Sequence, residues 1–131
     1  MSSSSGECGT EFCAGHQPCT LILSARDDLD RCPCLDCLET TLTWAEGRWN
    51  GTLESCGQTW LFEFFCVGGE QYAMAVSTNP GCFSTMKVAY LVQYNPLRVH
   101  YVLSIPRSCC GEGAGTAQIQ LVVHEGQWTC T

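Results

Sequence analysis

Apolar and polar residues alternate with a period of two along most of the chain from Thr20 onward. The clearest run places five apolar residues on one face of a strand, at Leu97, Val99, Tyr101, Leu103 and Ile105. Alternation of this kind is typical of a β-strand that buries one face and exposes the other to water. No part of the sequence shows a sustained 3.6-residue apolar stripe with helix caps, so the pattern predicts strands throughout.

Turn-forming residues interrupt these runs at short intervals. The strongest turn signals are Glu46-Gly47, Gly68-Gly69, Asn79-Pro80-Gly81 and Asn95-Pro96. They leave about eight short strands, close to the spacing expected of a sandwich or barrel. We therefore predict an all-β fold, an antiparallel β-sandwich of about eight strands, for which a jelly roll is one arrangement. The strand order cannot be read from the pattern.

The length and composition suit one folded domain. The chain has 131 residues, of which 45% are hydrophobic, enough to build a core. We expect residues 1–19 to form a polar leader and an N-terminal Cys/His segment, and residues 20–131 to form the single β-sandwich domain. The polar start, Met-Ser-Ser-Ser-Ser-Gly, has neither the basic nor the hydrophobic region of a signal peptide, so none is expected.

The charge balance excludes one class of partner. Thirteen acidic residues outnumber six basic ones and give a net charge of −7. A protein that binds nucleic acid neutralises phosphates with Lys or Arg, and this sequence has neither a basic patch nor a basic tail. No apolar stretch is long enough to cross a bilayer. We therefore expect neither nucleic acid nor a membrane among the partners.

Twelve cysteines indicate a disulfide scaffold, since that is a high count for a chain of this length. Within the domain the candidates for disulfide bonds are Cys32, Cys34, Cys37, Cys56, Cys66, Cys82, Cys109, Cys110 and Cys130. Adjacent Cys109 and Cys110 would point to opposite faces of a strand, so each is expected to have its own partner. The pairing itself stays open, because the number of possible connectivities is very large.

Two cysteine clusters offer zinc as the alternative to disulfides. The first has four ligands of the Cys3His type, at Cys8, Cys13, His16 and Cys19. The second runs from Cys32 through Cys34 to Cys37 and needs a fourth ligand, from Cys109 or Cys110. Neither cluster has the paired C-x2-C spacing of a strong zinc motif. We therefore predict disulfides and no cofactor, with zinc at the first cluster as the fallback.

A cysteine–histidine pair is the enzyme hypothesis that this composition raises first. His100 falls on the polar face of a regular strand and His124 ends another strand, and the sequence offers no third member of a triad. We expect both histidines to be solvated or hydrogen-bonded, and we predict no enzyme. Trp44, Trp49 and Trp60 fall on apolar faces, which favours core packing over a stacking platform for sugars.

A series of short motifs carries a family resemblance. The motifs are Cys32-x-Cys34-Leu35-Asp36, Thr41-Leu42-Thr43-Trp44, Arg48-Trp49-x-Gly51, Cys56-Gly57-x-Thr59-Trp60, Cys66 and Cys109-Cys110-Gly111. The series resembles cysteine-rich proteins of tailed bacteriophages and planctomycete-like bacteria, over roughly residues 19–124. This chain has Cys37 where that pattern has a glycine. The resemblance implies a β domain with a role in virion or surface attachment, and no catalytic residues.

These observations lead to an expected function. We expect a structural virion protein of a tailed phage, either a capsid decoration (cement) protein or a tail-associated protein. It would bind a protein lattice such as a capsid or tail, self-associate as a homo-oligomer such as a trimer, and be found in the virion or outside the cell after release. The alternatives are a secreted or cell-surface disulfide-rich binding module and a zinc-binding structural or adaptor protein.

Overall fold

The computed structural model describes residues 20–68, 71–79, 81–90, 98–111 and 113–125, with the backbone alone at Tyr90. The expected N-terminal segment 1–19 lies outside these residues, and so does its fallback zinc site at Cys8, Cys13, His16 and Cys19. Cys130 and Leu97 lie outside them as well.

Eight strands make up most of the described chain. They are β1 (Thr20–Arg26), β2 (Leu38–Ala45), β3 (Arg48–Ser55), β4 (Gln58–Gly68), β5 (Gln71–Asn79), β6 (Ser84–Tyr90), β7 (Arg98–Pro106) and β8 (Thr116–His124). Two short 3-10 helices, Pro33–Leu35 and Arg107–Cys110, lie in the connections after β1 and β7. The predicted all-β fold of about eight strands is confirmed.

All eight strands belong to one antiparallel sheet, in the order β6-β5-β4-β3-β2-β1-β8-β7. The sheet curls until it is nearly closed into a barrel-like shape, so the two packed layers of the predicted sandwich are opposite halves of one sheet. β6 and β7 approach each other, but their described residues form no strand pair. Neighbours in the sheet are neighbours in sequence apart from β1 and β8, so the described strands form a meander without the Greek-key crossings of a jelly roll.

Each strand turns its apolar side chains toward the interior. In β7 the buried residues are Val99, Tyr101, Leu103 and Ile105, as the alternation predicts. Trp49 and Trp60 are fully buried, while Trp44 is half-buried with its ring edge-on to that of Trp49 at 4.5 Å between centroids. The tryptophans therefore pack the core, as expected from their faces.

Side chains fill the interior of the barrel-like sheet. The void that remains among the described residues is about 10 Å³ and has an apolar lining that includes Leu35, Trp60, Phe62 and Ile119. A site for a small organic ligand needs several hundred Å³. The curled sheet therefore encloses a core of packed side chains in the part of the chain that the structure describes.

Gly51 in β3 supports a specific stability prediction. A Cβ atom at this position would lie 2.6 Å from Leu42 Cδ2 and 2.8 Å from the carbonyl oxygen of Thr41, which belongs to the backbone and cannot move aside cheaply. We expect Gly51→Ala to lower the free energy of unfolding by about 1–3 kcal/mol, measured by urea denaturation. Gly81→Ala is the control, because a Cβ there meets open space; equal stability of the two variants would contradict the prediction.

Tyr101 supports a prediction about alkaline pH. Its hydroxyl is buried and donates a 2.7 Å hydrogen bond to the carbonyl oxygen of Tyr72. Burial, and secondarily the neighbouring Tyr72, raise the pKa of Tyr101 well above its ordinary value. The unfolded chain ionises this phenol above about pH 10 while the folded protein does not, so the stability is complete below that pH and falls by about 1.4 kcal/mol per pH unit above it.

Urea denaturation between about pH 9 and 11 measures this slope. Tyr101→Phe is expected to be less stable at neutral pH, because the hydrogen bond to Tyr72 is lost, and to lose less stability at alkaline pH. An unchanged alkaline slope in the variant would show that other groups cause the loss.

Candidate functional site

Four strand connections lie at one end of the sheet, because every second connection of an antiparallel meander returns to the same end. They join β1 to β2, β3 to β4, β5 to β6 and β7 to β8. Three disulfides link them, Cys32–Cys110, Cys34–Cys56 and Cys82–Cys109, with Cα separations of 5.5, 5.5 and 5.9 Å. We call this region the disulfide end; six of its cysteines form these three bonds.

The three disulfides tie the four connections in series. Cys34–Cys56 and Cys32–Cys110 join the β1–β2 connection to those after β3 and after β7. Cys82–Cys109 joins the connection before β6 to the one after β7, which spans the unpaired gap between these two strands. The predicted cysteine bracing is confirmed, and one of its bonds closes the sheet covalently where strand pairing does not.

The predictions for Cys37, Cys66, Cys109 and Cys110 concerned whether each forms a disulfide and with a partner of its own. Cys37 and Cys66 are also disulfide-bonded, so each described cysteine is in a disulfide. Cys109 and Cys110 each have their own partner, but they lie in the 3-10 helix Arg107–Cys110 and not on a strand. The separate partners follow from the different positions of the two side chains in that turn.

Four of these sulfurs form a compact cluster. The sulfur atoms of Cys32, Cys34, Cys56 and Cys110 all lie within 4.8 Å of one another, and those of Cys32 and Cys34 are 3.9 Å apart. The predicted second cluster consisted of Cys32, Cys34 and Cys37 with Cys109 or Cys110 as a fourth member. Of these, Cys32, Cys34 and Cys110 are in the observed cluster, and Cys37 is not. Cys56 was missed, because no spacing in the sequence indicates that the turn after β3 folds against the loop after β1.

Hydrogen bonds hold this loop independently of the disulfides. The buried Asp27 accepts a 2.5 Å bond from the Cys32 amide at Oδ2, while its own amide donates to Asp36 Oδ1 at 2.9 Å. Leu35 N donates to Cys32 O at 2.9 Å, and the Ser55 hydroxyl donates to the Cys34 carbonyl oxygen. Short polar side chains that bond to nearby backbone are typical of tight turns, and these contacts position Cys32 and Cys34.

The histidines of the described chain do not meet a cysteine thiol. His100 Nε2 lies 2.7 Å from Gln120 Oε1 on the outer face of the sheet. His124 is buried, and its Nε2 lies 3.2 Å from the hydroxyl of Ser24, a pair separated by 100 residues that the sequence pattern did not reveal. Ser24 is 1% exposed and lies at the base of a pocket on the outer face of the sheet.

A small basic pocket lies on the outer face of β1, β7 and β8. Its volume is about 330 Å³, and its lining includes Arg26, Arg98, Asp28 and His100. Asp28 accepts a 2.6 Å hydrogen bond from the Gln120 amide and lies 3.7 Å from Arg26 Nε. The pocket therefore places two of the chain's six basic residues beside one carboxylate, which leaves a modest positive charge.

A larger groove lies on the opposite outer face, over β2 to β6. Its volume is about 770 Å³, and its side chains are mostly hydroxyl-bearing or apolar, among them Thr41, Thr52, Leu61, Ala75, Ser77 and Ser84. Among its described lining residues, the one charged side chain is that of Glu63, which forms an ion pair with Arg48 at 2.7 Å. We call this surface the outer groove.

Exposed apolar side chains border the outer groove on β6. Met86 is 61% exposed and Val88 51%, and Leu61, on the floor of the groove, is 40% exposed. Met86 pairs with Ala75 of β5 in the sheet register, so these residues share one face with the groove. The outer groove and this apolar margin form a continuous surface with little net charge on a chain of net charge −7.

Neither a membrane-spanning helix in the described residues nor a related protein points to a function for this chain. The described residues contain no helix long and apolar enough to cross a membrane. No protein-family model, no curated protein and no solved structure matches the chain.

Proposed function

We propose that this protein is a non-catalytic structural protein that binds a larger protein assembly through the outer groove and its apolar margin. The observation that supports this most directly is the apolar margin itself, where Met86 and Val88 are both more than half exposed. Protein interfaces concentrate methionine and apolar side chains and exclude charge from their centre. Among the described residues that line the groove, the one charged side chain, Glu63, is paired with Arg48.

The filled interior supports the same function. A carrier of small molecules needs an internal cavity, and the described core leaves a void of about 10 Å³. The recognition surface is therefore an outer face of the sheet. A broad, shallow face suits a protein partner, whose own surface covers a similar area.

The face of β6 is a better binding surface than its edge. β6 pairs with β5 on one side only, which leaves its other edge open among the described strands. Exposed Lys87 lies in the middle of this strand. A lysine on an edge strand opposes pairing with another strand, so we place the partner against the side chains of Met86 and Val88.

In its most specific form, the proposed assembly is a phage capsid or tail, and the protein decorates it as a homo-oligomer. Two considerations support this form: the motif resemblance, and a scaffold of disulfides that joins all four connections at one end. Disulfides persist in oxidising surroundings such as the outside of a cell, which is where a released particle is found.

The apolar margin provides the test. We expect the double variant Met86→Glu, Val88→Glu to weaken both self-association and binding to capsids or tails by at least about 100-fold, because two charges would be buried in the interface. Sedimentation equilibrium measures self-association, and co-sedimentation with purified phage particles measures lattice binding. The stability should change little, since both side chains are exposed.

Val102→Glu is the matched control. Val102 is 40% exposed on the outer face of β7, away from the groove. It should leave both measurements unchanged. Equal weakening by Val102→Glu, or undiminished binding by the double variant, would show that the apolar margin is not the interface.

The outer groove supports one second candidate, a secreted or cell-surface binding module for glycans. The observation that favours it is the row of hydroxyl and amide side chains along the groove, including Thr41, Asn50 and Thr52. Asn50→Ala with Thr52→Ala should then abolish binding on a glycan array, while the Met86→Glu, Val88→Glu variant should retain it. The opposite pattern favours the protein-lattice function.

A further inference from the structure

The clustered sulfurs of the disulfide end carry an inference that is independent of the proposed function. Cys32–Cys110 and Cys34–Cys56 lie side by side, and their four sulfurs come from three different connections of the sheet. We propose that reduction of these two disulfides converts the cluster into a structural Zn²⁺ site with four thiolate ligands. The disulfide form and the zinc form would then brace the same connections.

The geometry of the cluster is close to that of a tetrahedral zinc site. With Zn–S bonds of about 2.3 Å, the sulfurs of such a site lie about 3.8 Å apart. The sulfurs of Cys32 and Cys34 are already 3.9 Å apart, and no pair in the cluster exceeds 4.8 Å. The bonded pairs need only separate by rotation of their side chains, because their Cα atoms are 5.5 Å apart.

The surrounding backbone holds these positions without the disulfides. Asp27 binds the Cys32 amide, and the Ser55 hydroxyl binds the Cys34 carbonyl oxygen. On the other side, Arg107 Nε donates a 3.1 Å bond to the carbonyl oxygen of Arg31, which joins the loop after β7 to the loop after β1. The connections that carry the four cysteines are therefore also joined by hydrogen bonds that do not involve a disulfide.

A dithiol supplies the electrons for the conversion. Cys34 and Cys56 are half-buried, so an external dithiol reaches their bond first, gives it two electrons and two protons, and becomes a disulfide itself. The Cys34 thiolate can then attack Cys32 at 3.9 Å, forming Cys32–Cys34 and releasing the Cys110 thiolate. A second dithiol reduces the new bond, and Zn²⁺ then replaces the four thiol protons, which are released to solvent.

The same strand connections would be linked in both redox states of the protein. In a reducing compartment, zinc would join the connections after β1, β3 and β7 that the two disulfides join in the oxidised protein. Oxidation would expel the metal and leave the same end covalently closed. Cys82 and Cys109 are not members of the cluster, so zinc bound there would not replace the link that their disulfide makes.

Metal titration of the full-length chain tests the proposal. The protein is reduced with excess dithiol under argon, desalted, and titrated with Co²⁺ and then with Zn²⁺. We expect the visible absorption of Co²⁺ bound tetrahedrally by thiolates to appear. Zn²⁺ should then displace the Co²⁺ and abolish this absorption. The variant Cys34→Ser, Cys56→Ser should bind zinc at least about 100-fold more weakly, because it removes two of the four ligands.

The matched control is Cys82→Ser, Cys109→Ser, which also removes two thiols and one disulfide. Its zinc affinity should stay within a few-fold of the parent chain. Equal zinc affinities of the two double variants would overturn the proposal and assign the bound zinc to cysteines elsewhere in the chain. Absence of metal binding by the reduced parent chain would overturn it as well.

A measurement on the unsubstituted chain guards against variants that fail to fold. Alkylation of the reduced protein, followed by mass spectrometry, gives the reaction rate of each cysteine with and without zinc. Zinc should slow the alkylation of Cys32, Cys34, Cys56 and Cys110 at least about tenfold and leave Cys82 unaffected. Equal slowing at Cys82, or none at Cys32 and Cys110, would exclude the site.

Discussion

Replacing both Cys32 and Cys110 with alanine is expected to lower the free energy of unfolding by about 4–5 kcal/mol, because the variant loses both a loop-closing bond and the packing of two buried cysteines. In the chain-entropy treatment, the stabilisation grows with the logarithm of the loop that the bond closes in the unfolded protein. Both cysteines are also buried, so the variant loses packing in the core. An effect of this size approaches the total stability of many domains.

Guanidinium denaturation of the oxidised proteins measures this loss. The matched control is Cys34→Ala, Cys56→Ala, whose bond spans 22 residues and is expected to contribute about 3.4 kcal/mol. Mass spectrometry before and after alkylation verifies that the remaining disulfides are intact. A larger loss in the control, whose cysteines are only half-buried, than in the Cys32–Cys110 variant would contradict this expectation.

Trp49→Ala is expected to destabilise the protein by about 3–5 kcal/mol. The Trp49 side chain is fully buried, and its ring centroid lies 4.5 Å from that of Trp44 and 5.4 Å from that of Phe64. Truncation would remove a fully buried indole that packs between β2 and β4 and would leave a cavity in the core. Urea denaturation monitored by far-ultraviolet circular dichroism measures the change.

Trp44→Ala is the comparison for this prediction, because it removes the same side chain from a half-buried position on the adjacent strand. We expect it to cost clearly less than Trp49→Ala, since less apolar surface returns to water. Equal losses in the two variants would indicate that the described core does not depend on Trp49 in particular.

The disulfide end and the proposed binding surface are connected through β6. This strand carries Met86 and Val88, pairs with β5 alone among the described strands, and is preceded by Cys82, which is bonded to Cys109. The bond therefore positions a strand that has one partner strand among the described residues. In the proposed function, the same bond keeps the apolar margin in place for the partner.

The sequence by itself determined the strands and the burial of their side chains. Val99, Tyr101, Leu103 and Ile105 alternate in the sequence and are all buried, because a strand places successive side chains on opposite faces regardless of its partners. Trp49 was assigned to the core for the same reason. These properties are local, so a pattern of a few residues was enough to predict them.

Only the tertiary structure decided how the strands close and which cysteines meet. Cys56 joins Cys34 because the turn after β3 and the loop after β1 reach the same end of the sheet, and Cys110 joins Cys32 across 78 residues for the same reason. The Ser24–His124 contact likewise depends on β8 lying next to β1. The order of the strands in the sheet sets all of these contacts. Alternation of apolar and polar residues does not predict that order, because an alternating strand can pair with any neighbour that turns an apolar face to the same side.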